Sequence, residues 1–240
     1  MNTYGLIGKN ISYSFSRNYF NEKFKKETIL NSQYINFDLD SLPQLNQIFN
    51  QENKGFNVTI PYKETIIPYL DALDLHAEKI GAVNTIQIKN NIKTGFNTDW
   101  IGFKNSIVSL LKPHHKKALI LGTGGASKAI KYALEQLQIE YKVVSRTQAD
   151  FTYNDLNESI IKEYLVIINC TPLGTFPNIE QAPQIPYEFI TENHLAYDLV
   201  YNPEETQFLK NCKVKGAQIK NGLEMLEIQA EEAWKIWNFQ

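Results

Sequence analysis

The residues with the clearest chemical meaning form a glycine turn in the middle of the chain. The turn, Gly122-Thr123-Gly124-Gly125-Ala126, follows an apolar run at residues 118–121 and precedes a pattern with helical spacing. This order predicts a buried parallel strand, a tight turn and the start of a helix. Glycines let a backbone approach a pyrophosphate closely, and the first N–H groups of a helix donate to its oxygens. The turn therefore predicts a dinucleotide site. A merely tight turn is the alternative, because Ser127 occupies the third glycine position of the usual pattern.

A second polar turn lies about twenty residues further on, where dinucleotide-binding folds place the residue that contacts the adenosine ribose. An apolar run at residues 141–144 ends there in Ser145-Arg146-Thr147. A site for NAD usually carries Asp or Glu at this position, whereas a guanidinium flanked by hydroxyls suits a 2′-phosphate. The sequence therefore predicts NADP as the cofactor. The alternative is an exposed arginine at the end of a strand.

Three strand ends in the first hundred residues carry polar side chains of the kind that bind a polyhydroxylated small molecule. Asn57, Thr59 and Lys63 follow one apolar run, Asn84 follows a second, and Asp99 follows a third. Strand alternation places Asn57 and Thr59 on the same face of the sheet. Each of these residues is also common in ordinary turns, and Asp99 could cap the helix that follows it.

A hydroxyl-rich loop at residues 9–16 leads from the first predicted strand into a predicted helix over residues 17–26. Ser14 and Ser16 lie close to the N-terminus of that helix, where hydroxyl groups could hold a small carboxylate. The alternative, which the sequence favours, is that Ser16 caps the helix.

These side chains need a scaffold, and the chain of 240 residues is long enough for two domains of ordinary size. Apolar runs alternate with helical patterns, which predicts an α/β fold with a parallel sheet covered on both faces. Ligands bind such sheets at the carboxyl ends of the strands, where the sequence places Thr171 and Tyr201. The last segment, residues 222–237, is a predicted packing helix with Gln229 as its notable polar member.

The composition is that of a globular protein, with 43% apolar and 21% charged residues. A formal net charge of −2 gives no reason to expect nucleic acid or an anionic membrane as a partner. The sequence contains no signal peptide and no apolar run of transmembrane length, which predicts a cytoplasmic location. Cys170 and Cys212 are predicted to be reduced thiols. The four histidines show no metal-ligand spacing, so no metal site is predicted.

Three motifs occur in order in the first hundred residues. Residues 55–63 fit G-x-N-V-T-x-P-x-K, residues 81–85 fit G-A-V-N-T, and residues 95–99 fit G-x-N-T-D. The later motifs are Asn169-Cys170-Thr171-Pro172-Leu173-Gly174, Asp198-x-x-Tyr201-Asn202-Pro203 and Gly222-x-x-Met225-Leu226-x-x-Gln229. Together with the glycine turn, this ordered set resembles the shikimate dehydrogenase family over nearly the whole chain.

The resemblance implies a two-domain α/β fold. Residues 1–101 plus 222–240 would form the substrate-binding catalytic domain, and residues 102–221 a Rossmann-type NADP-binding domain. The implied reaction is the reversible NADPH-dependent reduction of 3-dehydroshikimate to shikimate, a step of chorismate and aromatic amino acid biosynthesis. The implied partner is this small-molecule substrate, bound by a monomer or a homodimer.

The resemblance also implies roles for individual residues. Lys63 and Asp99 would be the catalytic pair. The substrate-binding residues would be Ser14, Ser16, Thr59, Asn84, Asp99, Tyr201 and Gln229. The cofactor-binding residues would be Gly122, Thr123, Gly124, Gly125, Ala126, Ser145, Arg146, Thr147, Thr171, Leu199, Tyr201 and Gly222.

The sequence departs from the family pattern at two places. The first loop of the family usually reads H-S-x-S-P-x-x-H-N, whereas residues 13–21 keep both serines but neither histidine nor the proline. Asp150 stands where the family often has a second arginine.

Three other interpretations compete with this resemblance. Two alternatives stay open: a paralogue that also oxidises quinate with relaxed cofactor use, and a non-catalytic NADP-sensing module. A methylene-tetrahydrofolate dehydrogenase is disfavoured, because the hydroxyl-rich first loop does not suit its larger pterin-bearing substrate.

Overall fold

The chain folds into two compact units. The structure is a computed structural model that describes residues 1–12, 14–49, 53–147 and 149–239. The first unit comprises Met1–Thr98 with Ala230–Gln240, and the second comprises Asp99–Gln229. Both units are built from strands and helices, which confirms the α/β prediction. The functional domain assignment, which groups residues 99–101 and 222–229 with the first unit, stays a prediction.

The first unit is a mixed sheet flanked by helices. Its elements are β1 (Asn2–Gly8), α1 (Phe15–Lys26), β2 (Ser32–Asp38), α2 (Leu45–Phe49), β3 (Asn53–Val58), β4 (Ala72–Leu73), α3 (Leu75–Ile80), β5 (Thr85–Lys89) and β6 (Ile92–Phe96). The described strands lie in the order β2-β1-β3-β5-β6-β4. Strands β2, β1 and β3 are parallel, whereas β5 is antiparallel to β3 and to β6. The sequence predicts a hairpin-like turn at residues 89–93, and this prediction is confirmed, because Asn90 and Asn91 adopt the positive φ of a tight turn between β5 and β6.

The sequence also predicts a helix that starts near Lys63 and a strand over residues 81–86, and both predictions need correction in this unit. No α-helix begins near Lys63 among the described residues, where the chain instead forms a turn and a short 3₁₀ helix over Ile67–Tyr69. Pro68 disfavours an α conformation for the residue before it, which limits the helix to this short form. The strand predicted from Gly81 begins only at Thr85, because Gly81 is the left-handed C-cap of α3.

The second unit is a parallel sheet with helices on both faces. Its elements are α4 (Asp99–Ile107), β7 (Lys117–Leu121), α5 (Gly125–Gln136), β8 (Glu140–Ser145), β9 (Phe151–Thr152), α6 (Glu158–Glu163), β10 (Val166–Asn169), β11 (Leu195–Asp198), α7 (Gln207–Lys213), β12 (Gln218–Lys220) and the first part of α8 (Leu223–Phe239). The described strands lie in the order β12-β11-β10-β7-β8-β9, and each neighbouring pair is parallel. The parallel sheet predicted for this half of the chain is confirmed.

The central strands of the second sheet are buried on both faces. All four residues of β10 and of β11 are buried, as are the last four of β7. One face packs Ile120, Ile168 and Tyr197 against helices, and the other packs Leu119 and Ile167. Burial on both faces explains why these strands read as continuous apolar runs in the sequence.

Helix α8 contributes residues to both units, because the division falls between Gln229 and Ala230. In the first unit the Trp237 Nε1–H donates to the Ile86 carbonyl at 3.0 Å, and the Gln87 amide donates to the Ile236 carbonyl. These bonds attach the C-terminal turns of the helix to strand β5. None of the helices in the described ranges combines the length and apolarity that a membrane span requires.

Two buried histidines lie close to the N-terminal ends of strands in the second unit. The His115 Nδ1 accepts from the Lys112 N–H at 3.0 Å, and its Nε2 lies 3.0 Å from the Asn193 carbonyl. The His194 Nδ1 accepts from the Thr191 N–H at 3.0 Å, and its Nε2 lies 2.9 Å from the Ile161 carbonyl. Both rings are therefore neutral with the proton on Nε2, and burial lowers the pKa of each.

We expect the second unit to lose stability in mild acid because of these histidines. Below pH 6.5 both histidines become protonated in the unfolded chain. In the folded chain they stay neutral to a lower pH, since a protonated Nδ1 would face a backbone N–H. The free energy of unfolding should fall by up to about 1.4 kcal/mol per pH unit for each histidine between pH 6.5 and the lowered folded-state pKa. Denaturant titrations at several pH values should give His194→Gln a shallower pH slope than the unsubstituted chain. The control His114→Gln removes an exposed neighbour and should keep the original slope; equal slopes in all three proteins would contradict the prediction.

Candidate active site

Ser14 caps the first helix. Its Oγ accepts from the Arg17 N–H at 3.0 Å, and α1 begins at Phe15. The prediction that Ser16 is the cap is therefore wrong, because the helix begins two residues earlier than predicted. The Ser14 side chain is buried, with 7% of its surface exposed. As a hydroxyl both accepts and donates, the capping bond leaves the Ser14 proton able to donate to a carboxylate.

Ser16 joins a buried hydrogen-bond network beneath the end of β3. The Tyr34 hydroxyl donates to the Asn57 Oδ1 at 2.7 Å and is also hydrogen-bonded by Ser16. The Asn57 Nδ2 contacts the Asn84 carbonyl at 3.4 Å and the Thr85 Oγ1 at 3.3 Å. Burial raises the pKa of Tyr34 well above its usual value, so the phenol stays a donor. The network fixes Ser16 and Asn84 relative to each other.

Thr59 and Lys63 follow the end of β3 in the same region. The Thr59 N–H donates to the Ile7 carbonyl at 2.9 Å, which extends the pairing with β1 past the end of the strand. The Lys63 carbonyl accepts from the Val83 N–H at 2.7 Å, so its backbone is attached one residue before Asn84. Both side chains are half-buried. Four of the predicted site residues, Ser16, Thr59, Lys63 and Asn84, are thus brought together at one end of the first sheet.

The Asn84 amide is held by the turn that precedes α4. Its Oδ1 accepts from the Thr98 N–H at 2.7 Å, and its Nδ2 donates to the Thr98 Oγ1 at 3.0 Å. Thr98, Asn84 and Thr85 are all nearly fully buried. Asn84 therefore fixes the backbone directly before Asp99, a role that the sequence does not reveal.

Asp99 and Gln229 lie on two helices of the second unit that contact each other. Asp99 is the first residue of α4 and is 5% exposed, as is Gln229 on α8. The two helices cross in close contact at Gly102, where an added Cβ would lie 2.6 Å from the Met225 carbonyl and 3.1 Å from the Gln229 Cβ. Asp99 lies one turn before Gly102, so it belongs to the face of α4 that contacts α8.

The glycine turn has the geometry of a phosphate cradle. Gly122 has a φ of +106°, which strongly favours glycine, and Gly124 is the N-cap of α5. A Cβ at Gly124 would meet no atom within 4 Å, so open space lies directly above the turn. Ser127, at the third glycine position, is buried and its hydroxyl donates to the Gly124 carbonyl at 2.6 Å. The backbone N–H groups at the start of α5, from Gly125 and Ala126, are placed to bind an anion.

The turn after β8 presents Arg146 to solvent. The Ser145 Oγ accepts from the Thr147 N–H at 3.2 Å, which closes the turn, and Arg146 and Thr147 are exposed. Arg146 lines a cavity of about 730 Å³ together with Tyr153 and Leu173. This cavity adjoins the strand end at which dinucleotide folds bind the adenosine half.

Asp150, which stands where the family often has an arginine, is held against β8. Its carboxylate accepts from the Val143 N–H at 2.8 Å and from the Lys142 Nζ at 3.0 Å. These bonds hold the pKa of Asp150 below its usual value, the Val143 N–H having the largest effect. The carboxylate is therefore paired with a cation of β8.

The ends of β10 and β11 place the remaining predicted cofactor residues. The Thr171 N–H and Oγ1 both donate to the Asn169 Oδ1, at 3.0 and 2.6 Å. The Leu199 N–H donates to the Asn169 carbonyl at 3.0 Å. An added Cβ at Gly222 would overlap the Leu199 carbonyl, so only glycine fits there. Tyr201 is half-buried, which raises its pKa.

Several residues that organise the strand ends of both units have no role in the predictions from the sequence. Asp198 and Asn169 are fully buried and hydrogen-bonded to each other, and Tyr34 joins two predicted site residues. A polar residue inside an otherwise apolar strand is one signal that could have indicated them, and Asn169 and Asp198 also begin two of the motifs in the sequence. The described part of the chain holds no group of three or more His, Cys, Asp or Glu side chains placed to bind a metal ion.

Comparisons with known proteins agree with this arrangement. The family model for the shikimate dehydrogenase substrate binding domain matches residues 6–86. The chain is 40% identical over 250 residues to a shikimate dehydrogenase (NADP(+)) of Clostridium botulinum, covering 99% of this chain and 96% of that protein.

Solved structures of similar proteins cover the chain equally well. Shikimate dehydrogenase from Aquifex aeolicus superimposes with a TM-score of 0.88 at 36% identity, over 99% of this chain and 92% of that one. Shikimate 5-dehydrogenase from Thermus thermophilus, in complex with NADP(H) and shikimate, superimposes with a TM-score of 0.88 at 30% identity. The match covers 100% of this chain and 94% of that one. On its motifs, its fold and this full-length similarity, the chain belongs to the shikimate dehydrogenase family.

Proposed function

We propose that this chain catalyses the reversible reduction of 3-dehydroshikimate by NADPH and a proton, which gives shikimate and NADP⁺. The observation that carries the proposal is the glycine turn, an open phosphate cradle one strand away from an exposed arginine. The full-length relative from Clostridium botulinum carries the name of this activity and this cofactor. The chain is accordingly an NADP-dependent oxidoreductase that acts on a CH–OH group.

The residues of the second unit fit NADP. The pyrophosphate would lie over Gly124 and the first N–H groups of α5, because a Cβ there would point into open space. Arg146, with the hydroxyls of Ser145 and Thr147, would hold the 2′-phosphate. Thr171 and the segment around Leu199 would line the rest of the cofactor. When bound, the nicotinamide supplies or accepts the hydride.

Lys63 and Asp99 are the proposed catalytic pair. Negative charge grows on the carbonyl oxygen of the substrate as hydride arrives, and the Lys63 ammonium can stabilise that charge and donate a proton. Asp99 would orient the lysine and accept a hydrogen bond from a ring hydroxyl. Lys63 therefore contributes through charge and position at least as much as through proton exchange.

The other predicted substrate residues supply hydrogen bonds in this proposal. Ser14 would donate to the substrate carboxylate, and Ser16 would do so by turning its proton away from the Tyr34 oxygen, since both hydroxyls lie at the start of α1. The amides of Asn84 and Gln229 and the hydroxyls of Thr59 and Tyr201 would bind ring hydroxyls. These groups match a small, polar and anionic substrate.

Ser14→Ala should raise the KM for shikimate about tenfold or more, because it removes a hydrogen bond to a charged group. It should also lower the free energy of unfolding by about 1 kcal/mol through loss of the helix cap. The matched control is Asn157→Ala, which removes the cap of α6, where the Asn157 side chain accepts from the Ile160 N–H at 3.2 Å. That variant should lose similar stability with an unchanged KM. A KM that is unchanged in Ser14→Ala would leave Ser14 with the capping role alone.

Product analysis tests the proposed reaction. Purified protein is incubated with NADPH and 3-dehydroshikimate, and the products are separated by chromatography. Shikimate should form in a one-to-one ratio with the NADPH consumed. Equal turnover of 3-dehydroquinate would favour the quinate-oxidising paralogue instead, and NADP⁺ binding without any turnover would favour the sensing module.

Three expectations from the sequence stay predictions. The division into a substrate-binding and an NADP-binding domain, a state of monomer or homodimer, and a cytoplasmic location are part of this proposal. Light scattering of the purified protein measures the second, and fluorescence microscopy of a tagged chain in cells measures the third.

A further inference from the structure

The strand order of the second sheet separates the two halves of a bound dinucleotide. The glycine turn follows β7, Arg146 follows the neighbouring strand β8, and β10 and β11 lie on the opposite side of β7. The pyrophosphate lies at the glycine turn, and the adenosine half extends toward β8. The nicotinamide half must therefore extend over the carboxyl ends of β10 and β11.

Asp198 lies at the centre of these two strand ends. It is the last residue of β11, is fully buried, and stands beside Asn169 in the register of the sheet. Its Oδ1 accepts from the Asn169 Nδ2 and from the Val200 N–H, both at 3.0 Å. Its Oδ2 accepts from the Thr206 Oγ1 at 2.6 Å. Both carboxylate oxygens are thus used by donors from three separate segments.

The bond from Asp198 also sets the orientation of Asn169. Because the Asn169 Nδ2 donates to Asp198, its Oδ1 must point the other way, where it accepts from the N–H and the hydroxyl of Thr171. On the other side, the bond to the Val200 N–H fixes the backbone that carries Leu199 and Tyr201. One buried carboxylate therefore determines the shape of both loops.

We propose that Asp198 is a positioning residue for the nicotinamide half of the cofactor, acting through Asn169 and Val200 on the loops at Thr171 and at residues 199–201. This inference rests on the proposed function. Thr206 holds the second carboxylate oxygen while its own Oγ1 accepts from the Leu209 N–H, so the carboxylate cannot turn away.

Asp198 is an unfavourable choice for stability alone. Burial raises its pKa to about 6, against the opposing effect of its three hydrogen bonds, so the ionised form at neutral pH opposes folding. The groups around it, Cys170, Tyr187, Tyr197 and Cys212, are uncharged at neutral pH, because burial raises the pKa of each. Within the described residues Asp198 has hydrogen-bond donors but no cationic partner, and a buried charge held in this way indicates selection for the geometry of the loops.

The test compares steady-state kinetics of four proteins at pH 8. Asp198→Ala should raise the KM for NADP⁺ about tenfold or more and the KM for shikimate by a clearly smaller factor, because the cofactor loops lose their support and, of the proposed substrate residues, only Tyr201 lies on them. Asp198→Asn keeps an oxygen acceptor for Asn169 and Val200 and should restore the KM for NADP⁺ to within about threefold. The control Ser106→Ala removes a buried hydrogen bond to the Tyr197 hydroxyl in the same unit and should leave both KM values unchanged.

Asn169→Ala removes the other partner of the hydrogen bond between Asn169 and Asp198. This variant replaces Asp198→Ala in the test if Asp198→Ala does not fold. Asn169→Ala should raise the KM for NADP⁺ alone. The double variant Asp198→Ala/Asn169→Ala should raise this KM no more than the single variant with the larger effect. An unchanged KM for NADP⁺ in Asp198→Ala or in Asn169→Ala would overturn the inference. The inference would also be overturned if Ser106→Ala raised the KM for NADP⁺ equally, or if Asp198→Asn did not restore this KM. If the unsubstituted chain does not turn over shikimate, the proposed function itself fails, which is a separate result.

Discussion

Lys63→Ala is expected to lower kcat about 10³-fold or more while changing the KM for shikimate only modestly. Proton transfer by a positioned side chain and stabilisation of a developing oxyanion each contribute about 10²-fold or more. Both contributions arise mainly in the transition state, so their loss reduces kcat rather than ground-state binding. The half-buried position of Lys63, with its carbonyl fixed to the Val83 N–H, holds the side chain at the end of β3.

Two further variants distinguish the role of Lys63 from a general effect of charge. Lys54→Ala removes an exposed lysine from β3 and should leave kcat unchanged. Lys63→Arg keeps the positive charge but is a poor proton donor, and it should retain more activity than Lys63→Ala. A large rise in KM with a near-normal kcat in Lys63→Ala would refute the catalytic assignment.

Arg146→Ala is expected to raise the KM for NADP⁺ about 100-fold without raising the KM for NAD⁺. A guanidinium–phosphate pair makes charge-assisted hydrogen bonds worth about 1.5 to 3 kcal/mol each, and the loss of two at the lower end of that range corresponds to about this factor. NAD⁺ has no 2′-phosphate and gains nothing from Arg146. The exposed position of Arg146 beside a cavity of about 730 Å³ suits a residue that meets its partner only when the cofactor binds.

The selectivity measurement has a matched control in Lys162→Ala. Lys162 is an exposed cation of the same unit that pairs with Glu158 on α6, and its loss should leave both KM values unchanged. Asp150 does not add repulsion to the phosphate site in this account, because its carboxylate is paired with Lys142. If Arg146→Ala binds NADP⁺ as tightly as before, Arg146 is only an exposed residue at a strand end.

The parts of the fold that the sequence predicts are those whose signals are local. The apolar runs that became β7, β10 and β11 stand out because both faces of each strand are buried, and the glycine turn follows directly. The short strands β4, β9 and β12 have only two or three residues each, too few for a periodic pattern.

The site residues were predictable as residue types, but their contacts were not. Ser14 and Ser16 differ by two positions, and only the observed start of α1 shows which one caps the helix. The network that joins Ser16, Tyr34 and Asn57 connects three segments that are distant in sequence. Asp198 likewise looks like an ordinary polar residue at a strand end, because its importance depends on the register between β10 and β11.

The most direct test of the proposed function is an initial-rate measurement at the nicotinamide absorbance band. Purified protein is assayed with shikimate or quinate in all four combinations with NADP⁺ or NAD⁺, and with Lys63→Ala in parallel. The account predicts rapid reduction of NADP⁺ by shikimate, much slower reaction in the other three combinations, and loss of activity in the variant. Equal rates with quinate or with NAD⁺ would contradict the assigned specificity, and no turnover with any pair would contradict the proposed reaction itself.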